Sequence, residues 1–173
     1  MSPDAVFARY QSLQAYVGWT DNDARNLRSL RGVAERLLPE LVDDFYVSIQ
    51  NHPDTASVIT GGPHQAANLK LALKHWLRDL FCGSYDRDYV VKNWQIGRRQ
   101  SQLGLPSIYM HAAMARLRQG LLSGLLEIWP GEPTDLLDRF ASLNRLLDLN
   151  LAIIEMASHS EVAAQAEIVA PPE

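Results

Sequence analysis

The sequence predicts an all-α fold, on three observations. Apolar side chains recur at three- and four-residue spacings along nearly the whole of its 173 residues. No stretch shows the strict alternation of a half-buried strand, and no segment repeats. The strongest breaks are Thr60-Gly61-Gly62-Pro63, Cys82-Gly83-Ser84, Gly104-Leu105-Pro106 and Pro130-Gly131-Glu132-Pro133, and they separate the periodic runs.

Ser2-Pro3-Asp4 opens the first helix, with a capping hydroxyl, a proline at the first position and an acid in the first turn. Val6, Tyr10, Leu13 and Val17 form its apolar side, and it ends near Gly18. Thr20 followed by Asp23 starts the next helix as a looser capping box, with the stripe Ala24, Leu27, Leu30, Ala34, Leu37 and Leu38. Pro39 is expected to end or kink it, because proline removes an amide donor and crowds the preceding turn. A further helix carries Leu41, Val42, Phe45, Tyr46 and Ile49 to His52-Pro53, and a short piece covers about Asp54 to Ile59. Beyond Gly62 come a helix striped by Ala66, Leu69, Leu73, Trp76, Leu77, Leu80 and Phe81, and another over Asp86 to Leu103 that stops at Gly104. Two long helices follow, about Pro106 to Trp129 and about Pro133 to His159, joined by a loop short enough to make them antiparallel neighbours.

Those last two helices are apolar beyond a single face. Ile108, Met110, Met114, Leu117, Leu121, Leu122, Leu125, Leu126 and Trp129 cannot share one stripe, nor can Leu136, Leu137, Phe140, Leu143, Leu146, Leu147, Leu151, Ile154 and Met156. Such helices need a second burying surface. A twofold homodimer through a four-helix bundle supplies one; a central position in a monomer's core is the other solution.

Bulk composition excludes several classes. Hydrophobic residues are 47%, charged residues 21% and the formal net charge is -4, which leaves no basic patch for nucleic acid. The single cysteine, Cys82, rules out an internal disulfide and suits a reducing cytosol. No apolar run approaches the roughly 20 residues of a membrane span, and Met1-Ser2-Pro3-Asp4 lacks signal-peptide features. A cytoplasmic domain is therefore expected. No phosphate loop, Ser-His-Asp or Cys-His signature is present, so no enzymatic activity is expected of the chain itself.

A run of motifs gives a sharper expectation. In order along the chain stand Asp44-Phe45-Tyr46 with His52-Pro53, Leu69 to Phe81 with Trp76-Leu77, Gly83-Ser84-Tyr85-Asp86 with Tyr89, Ile96-Gly97-Arg98-Arg99-Gln100, and Leu103-Gly104-Leu105-Pro106 with Tyr109. From about Leu13 to His159 this resembles the bacterial globin-coupled sensors. The resemblance implies a globin-like fold over residues 1–165, with 166–173 a flexible tail or the start of a linker to an output domain. It also implies a haem b pocket lined by Phe45, Tyr46, Leu69, Leu73, Ile96, Leu103 and Leu105. Tyr46 would lie on the gas ligand's side, as a hydrogen-bond donor or an alternative iron ligand. Four residues past Ile96, where the family carries the histidine that holds iron, stands Gln100.

A carboxamide oxygen is a much poorer partner for ferrous iron than imidazole. Three arrangements are open: haem held by the apolar slot with Gln100 or water weakly at iron; haem ligated from elsewhere, by Tyr46 or a histidine such as His111; or a haem-free slot. The arginine pair Arg98-Arg99 either meets haem propionates or forms a solvated helix face. The resemblance thus implies an oxygen-sensing input domain that drives an output such as a histidine kinase, diguanylate cyclase or chemotaxis transducer. The alternative is a haem-free, dimeric regulatory module; a stand-alone globin fits the two-faced final helices less well.

Overall fold

The computed structural model describes residues 1–56, 62–102 and 106–169. Among them the chain is helical: α1 (Pro3–Tyr16), α2 (Asp21–Asn51), α3 (Pro53–Ala56), α4 (Gly62–Asp79), α5 (Arg87–Gln102), α6 (Ser107–Ile128) and α7 (Leu136–Val169), with a 3-10 turn at Pro133–Asp135. None of these helices is long and apolar enough to cross a membrane.

The starts follow from local chemistry. The Ser2 hydroxyl accepts the Ala5 amide at 3.3 Å, and Pro3 fills the first helical position. The Asp23 carboxylate accepts the Thr20 amide at 2.8 Å and its hydroxyl at 3.1 Å. Asp86 caps α5 by accepting the Tyr89 amide at 3.0 Å.

One expected boundary is missing: α2 runs through Pro39 without ending. Pro39 is exposed, as is Glu35 one turn earlier, whose carbonyl loses its amide donor and can be met by water. Leu37, Leu38 and Val42 on either side are buried, so packing carries the helix across the proline.

Helix α7 lies at the centre, against α1, α2, α5 and α6, and its pairing with α5 is the most extensive in the fold. It runs antiparallel to α6, since Arg118 meets Asp148 while His111 meets Glu155. It runs parallel to α5, where Tyr89 takes a hydrogen bond from Asn150 and Gly97 lies against Ile154 and Ala157. Leu143, Leu146, Leu147, Leu149, Ile153 and Ile154 are all buried within the one chain. The apolar excess of α7 is thus largely met by its central position. Ile108, Leu126 and Leu137 stay exposed on α6 and α7.

Two contacts fix the helix framework. Gly97 lets α5 and α7 touch at the backbone, and the Ser158 hydroxyl donates to the Gly97 carbonyl at 2.9 Å. Asp23, 3% exposed, joins α2 to α7 by accepting from the Ser142 hydroxyl at 2.8 Å and from Arg145. Burial alone would raise its carboxyl pKa; the hydrogen bonds from Ser142 and Thr20 and the Arg145 charge outweigh burial and hold it below the ordinary value.

Candidate functional site

Helices α2, α4, α5 and α6 enclose a cavity of about 330 Å³. Each contributes residues one turn apart, as helical periodicity requires. Phe45, Tyr46 and Ile49 come from α2, and Leu69, Ala72, Leu73 and Trp76 from α4. Ile96, Arg99 and Gln100 come from α5, and Tyr109, Met110, Ala113, Met114 and Leu117 from α6; Thr55 and Ile154 complete the wall.

Phe45, Tyr46, Leu69, Leu73, Ile96 and Gln100, six side chains expected from the sequence, therefore converge on one space. Leu103 and Leu105 lie outside the described residues. The α6 contribution was not foreseen: Met110, Met114 and Leu117 form one stripe at four- and three-residue steps, but α6 is apolar on more than one side. Nothing in the sequence signals Ile154.

Tyr46 is 6% exposed and lines the cavity. Its ring meets Phe45 edge-on at 6.0 Å, and Lys70 Nζ lies 5.8 Å from the ring centre. Burial pushes its pKa up to about 12, so the group is a neutral phenol at physiological pH, able to donate a hydrogen bond into the cavity. A phenolate bound to iron would first have to give up that proton.

Trp76 is held by Asn93, whose Oδ1 accepts the indole N–H at 2.9 Å while its Nδ2 donates to the Tyr89 carbonyl at 3.1 Å. Gln100 is half-buried, and its Nε2 donates to Met110 Sδ at 3.7 Å.

The other sequence candidates lie elsewhere. Both ring nitrogens of His111 face other groups, Nε2 towards Glu155 at 3.2 Å and Nδ1 towards the Ser107 carbonyl at 3.3 Å, and the residue does not line the cavity. His64 is exposed beside Asn68, and His52 packs its ring on Tyr109 at 5.8 Å. Cys82 donates to the Ser84 carbonyl at 2.9 Å, and burial raises its thiol pKa, which leaves it protonated and inert. Arg99 reaches the cavity wall; Arg98 and Lys92 flank it on the outer side of α5.

The apolar walls from four helices, the Tyr46 phenol and the Arg99 guanidinium suit a porphyrin, but among the described lining residues no imidazole, thiolate or phenolate stands ready to hold its iron. No group of three or more His, Cys, Asp or Glu side chains among the described residues could hold a metal ion directly.

Comparison with known proteins agrees with this architecture. No protein of curated function matches the chain significantly. The chain is similar to the globin domain of the Geobacter sulfurreducens globin-coupled sensor, at 32% sequence identity and a TM-score of 0.79, over 85% of this chain and 95% of that one. The likeness and the pocket together make it a sensor-type globin domain. With the family model for Protoglobin matching residues 7–161, the chain belongs to the protoglobin family.

Proposed function

We propose that the domain is the haem-binding, gas-sensing input of a signalling protein, with oxygen as ligand and haem b in the cavity. The observation that carries this reading is Tyr46: a phenol on the wall of an apolar space, kept neutral by burial. A neutral phenol there can donate a hydrogen bond, and a polarised diatomic ligand is a suitable acceptor. Haem, when bound, would supply the iron at which the gas is held. The chain's own part is to exclude water, orient the cofactor and donate a hydrogen bond from the Tyr46 hydroxyl.

The signal would leave through α5. That helix carries Ile96 and Gln100 on the cavity side and is locked to α7 at Gly97, so a shift of α5 on ligand binding is imposed on α7. Its size is bounded by the ligand's difference in affinity for the two arrangements. Ile108, Leu126 and Leu137, exposed on α6 and α7, support a homodimer in which two copies of this helix pair form a bundle leading to an output domain such as a histidine kinase.

The test is Tyr46→Phe. In reduced, haem-loaded protein, oxygen dissociation should speed up by about tenfold or more, the loss of one strong hydrogen bond, while carbon monoxide dissociation changes little. Equal oxygen dissociation in both proteins would remove Tyr46 from the ligand's side. A second reading has its own support. Gln100 already bonds to Met110 on the cavity wall, which suits a haem-free regulatory module that holds another apolar ligand or answers to a partner.

A further inference from the structure

The cavity pairs apolar walls with a single charge. Phe45 and Ile49 of α2, Leu69 and Leu73 of α4, and Met114 and Leu117 of α6 supply the walls. Its volume of about 330 Å³ lies at the lower end of ligand pockets, which begin near about 300 Å³. Arg99 is the one charged side chain among the described lining residues, and it stands exposed on α5. No histidine, cysteine or carboxylate is among those lining residues, so an occupant that asks for no metal ligand suits the wall. We propose that the cavity holds a long-chain aliphatic carboxylate, its chain among the apolar walls and its head group on the Arg99 guanidinium. The proposal rests on the haem-free reading of the pocket.

The wall favours an acyl chain over a more polar body. Trp76 already donates its indole N–H to Asn93 at 2.9 Å, and the Thr55 hydroxyl donates to the Ile49 carbonyl at 2.8 Å. A polar ligand would give up its water there for few partners, whereas a methylene chain gains by leaving water. Charge selects the head group. A guanidinium offers paired N–H donors that match a carboxylate bidentately, and an exposed one can hold it while the chain is buried. On the outer side of α5, Lys92 and Arg98 stand beside Arg99 and make that edge positive. Lys92 is paired with Asp79 at 3.0 Å, and Arg98 does not line the cavity, so the head-group contact falls to Arg99.

Occupancy would act on the joint already described. The head group is held by α5 and the chain by α2, α4 and α6. Arg99 stands just beyond Gly97, where α5 touches α7, so the ligand sets α5 at that contact.

The test is a calorimetric titration of the purified chain with defined probes, each kept below its micelle-forming concentration. Decanoate, dodecanoate and tetradecanoate vary the chain; dodecanol and dodecylammonium vary the head group. The expected result is one dodecanoate per chain, with affinity rising about fourfold per added methylene until the cavity is full. Dodecanol should bind about fivefold more weakly than dodecanoate, and dodecylammonium more weakly still. Arg99→Gln, at an exposed position, should keep its helical circular dichroism, lose about fivefold in dodecanoate affinity and hold dodecanol within about twofold. Dodecanoate brominated at its last carbon should quench the fluorescence of Trp76, and Trp76→Phe should remove that quenching. Equal affinities for dodecanoate and dodecanol, or equal dodecanoate affinities for wild type and Arg99→Gln, overturn the proposal. So does the lack of saturable dodecanoate binding. If haemin then binds the same sample saturably, the haem reading stands alone; if haemin also fails, both readings of the cavity fall.

Discussion

Replacing Gly97 by alanine puts a methyl carbon into the line where α5 and α7 meet. Built on the present backbone, that carbon would sit 2.0 Å from the Ile154 carbonyl oxygen, 2.7 Å from Ala157 Cβ and 2.8 Å from the Ile154 carbonyl carbon. The first and third are backbone atoms of a helix fixed on four sides, so the methyl cannot be met by a side-chain rotation. The helices must part by roughly 1 Å before the contact is tolerable. Overpacking of this kind costs about 1–3 kcal/mol. Parting the helices also lengthens the Ser158–Gly97 hydrogen bond, worth about 1 kcal/mol. Alanine returns about 1 kcal/mol through its better helix propensity. The net expectation is a loss of about 1–3 kcal/mol, or about 2–12 °C in Tm for a chain of this length. Thermal melts by circular dichroism, with urea titration as a check, measure it. The control is Gly32→Ala, where nothing lies within 4 Å of the added carbon, and which should gain about 0.5–1 kcal/mol. A Gly97→Ala protein as stable as wild type would refute the close contact between α5 and α7 and the route by which α5 moves α7.

Three further outcomes are expected. Pro39→Ala should raise stability by about 1–3 kcal/mol in urea titration, because the helix already continues through an exposed proline and regains one amide donor; a loss would mean that the proline shapes α2 for packing. Asp23→Asn should cost about 1–3 kcal/mol at neutral pH. Because the folded carboxyl titrates below its unfolded value, its contribution is present above about pH 4 and is lost as pH falls through the folded pKa, so the gap between variant and wild type should close in acid; a gap that widens there would contradict the lowered pKa. Leu126→Glu combined with Leu137→Glu should turn a dimer into a monomer by light scattering while the haemin affinity stays within about twofold, and an unchanged mass would exclude a bundle through these helix faces.

Much of the fold was legible because its helices announce themselves locally. The Ser2 cap and the Thr20–Asp23 pair are chemistry within one turn, and the structure keeps both. Pro39 was misleading because propensity is local, while the burial of Leu37, Leu38 and Val42 that overrides it is tertiary. The pocket was legible where motif order supplied it, at Phe45, Tyr46, Leu69, Leu73, Ile96 and Gln100. Met110, Met114 and Ile154 were not, because a helix apolar on more than one side does not disclose which side faces a cavity. The centrality of α7 also showed that two-sided apolarity can be met within one chain.

The most direct test of the account is a haemin titration followed in the Soret region, run on wild type and on Ala113→Trp, whose indole would fill the slot beside Met110 and Met114. The account predicts saturation at one haem per chain for wild type, with a Soret band displaced from that of free haemin and narrowed on reduction, and loss of that saturable binding in Ala113→Trp. A wild-type spectrum that rises linearly and stays at the free-haemin position would contradict it, and would leave the cavity to a different apolar ligand.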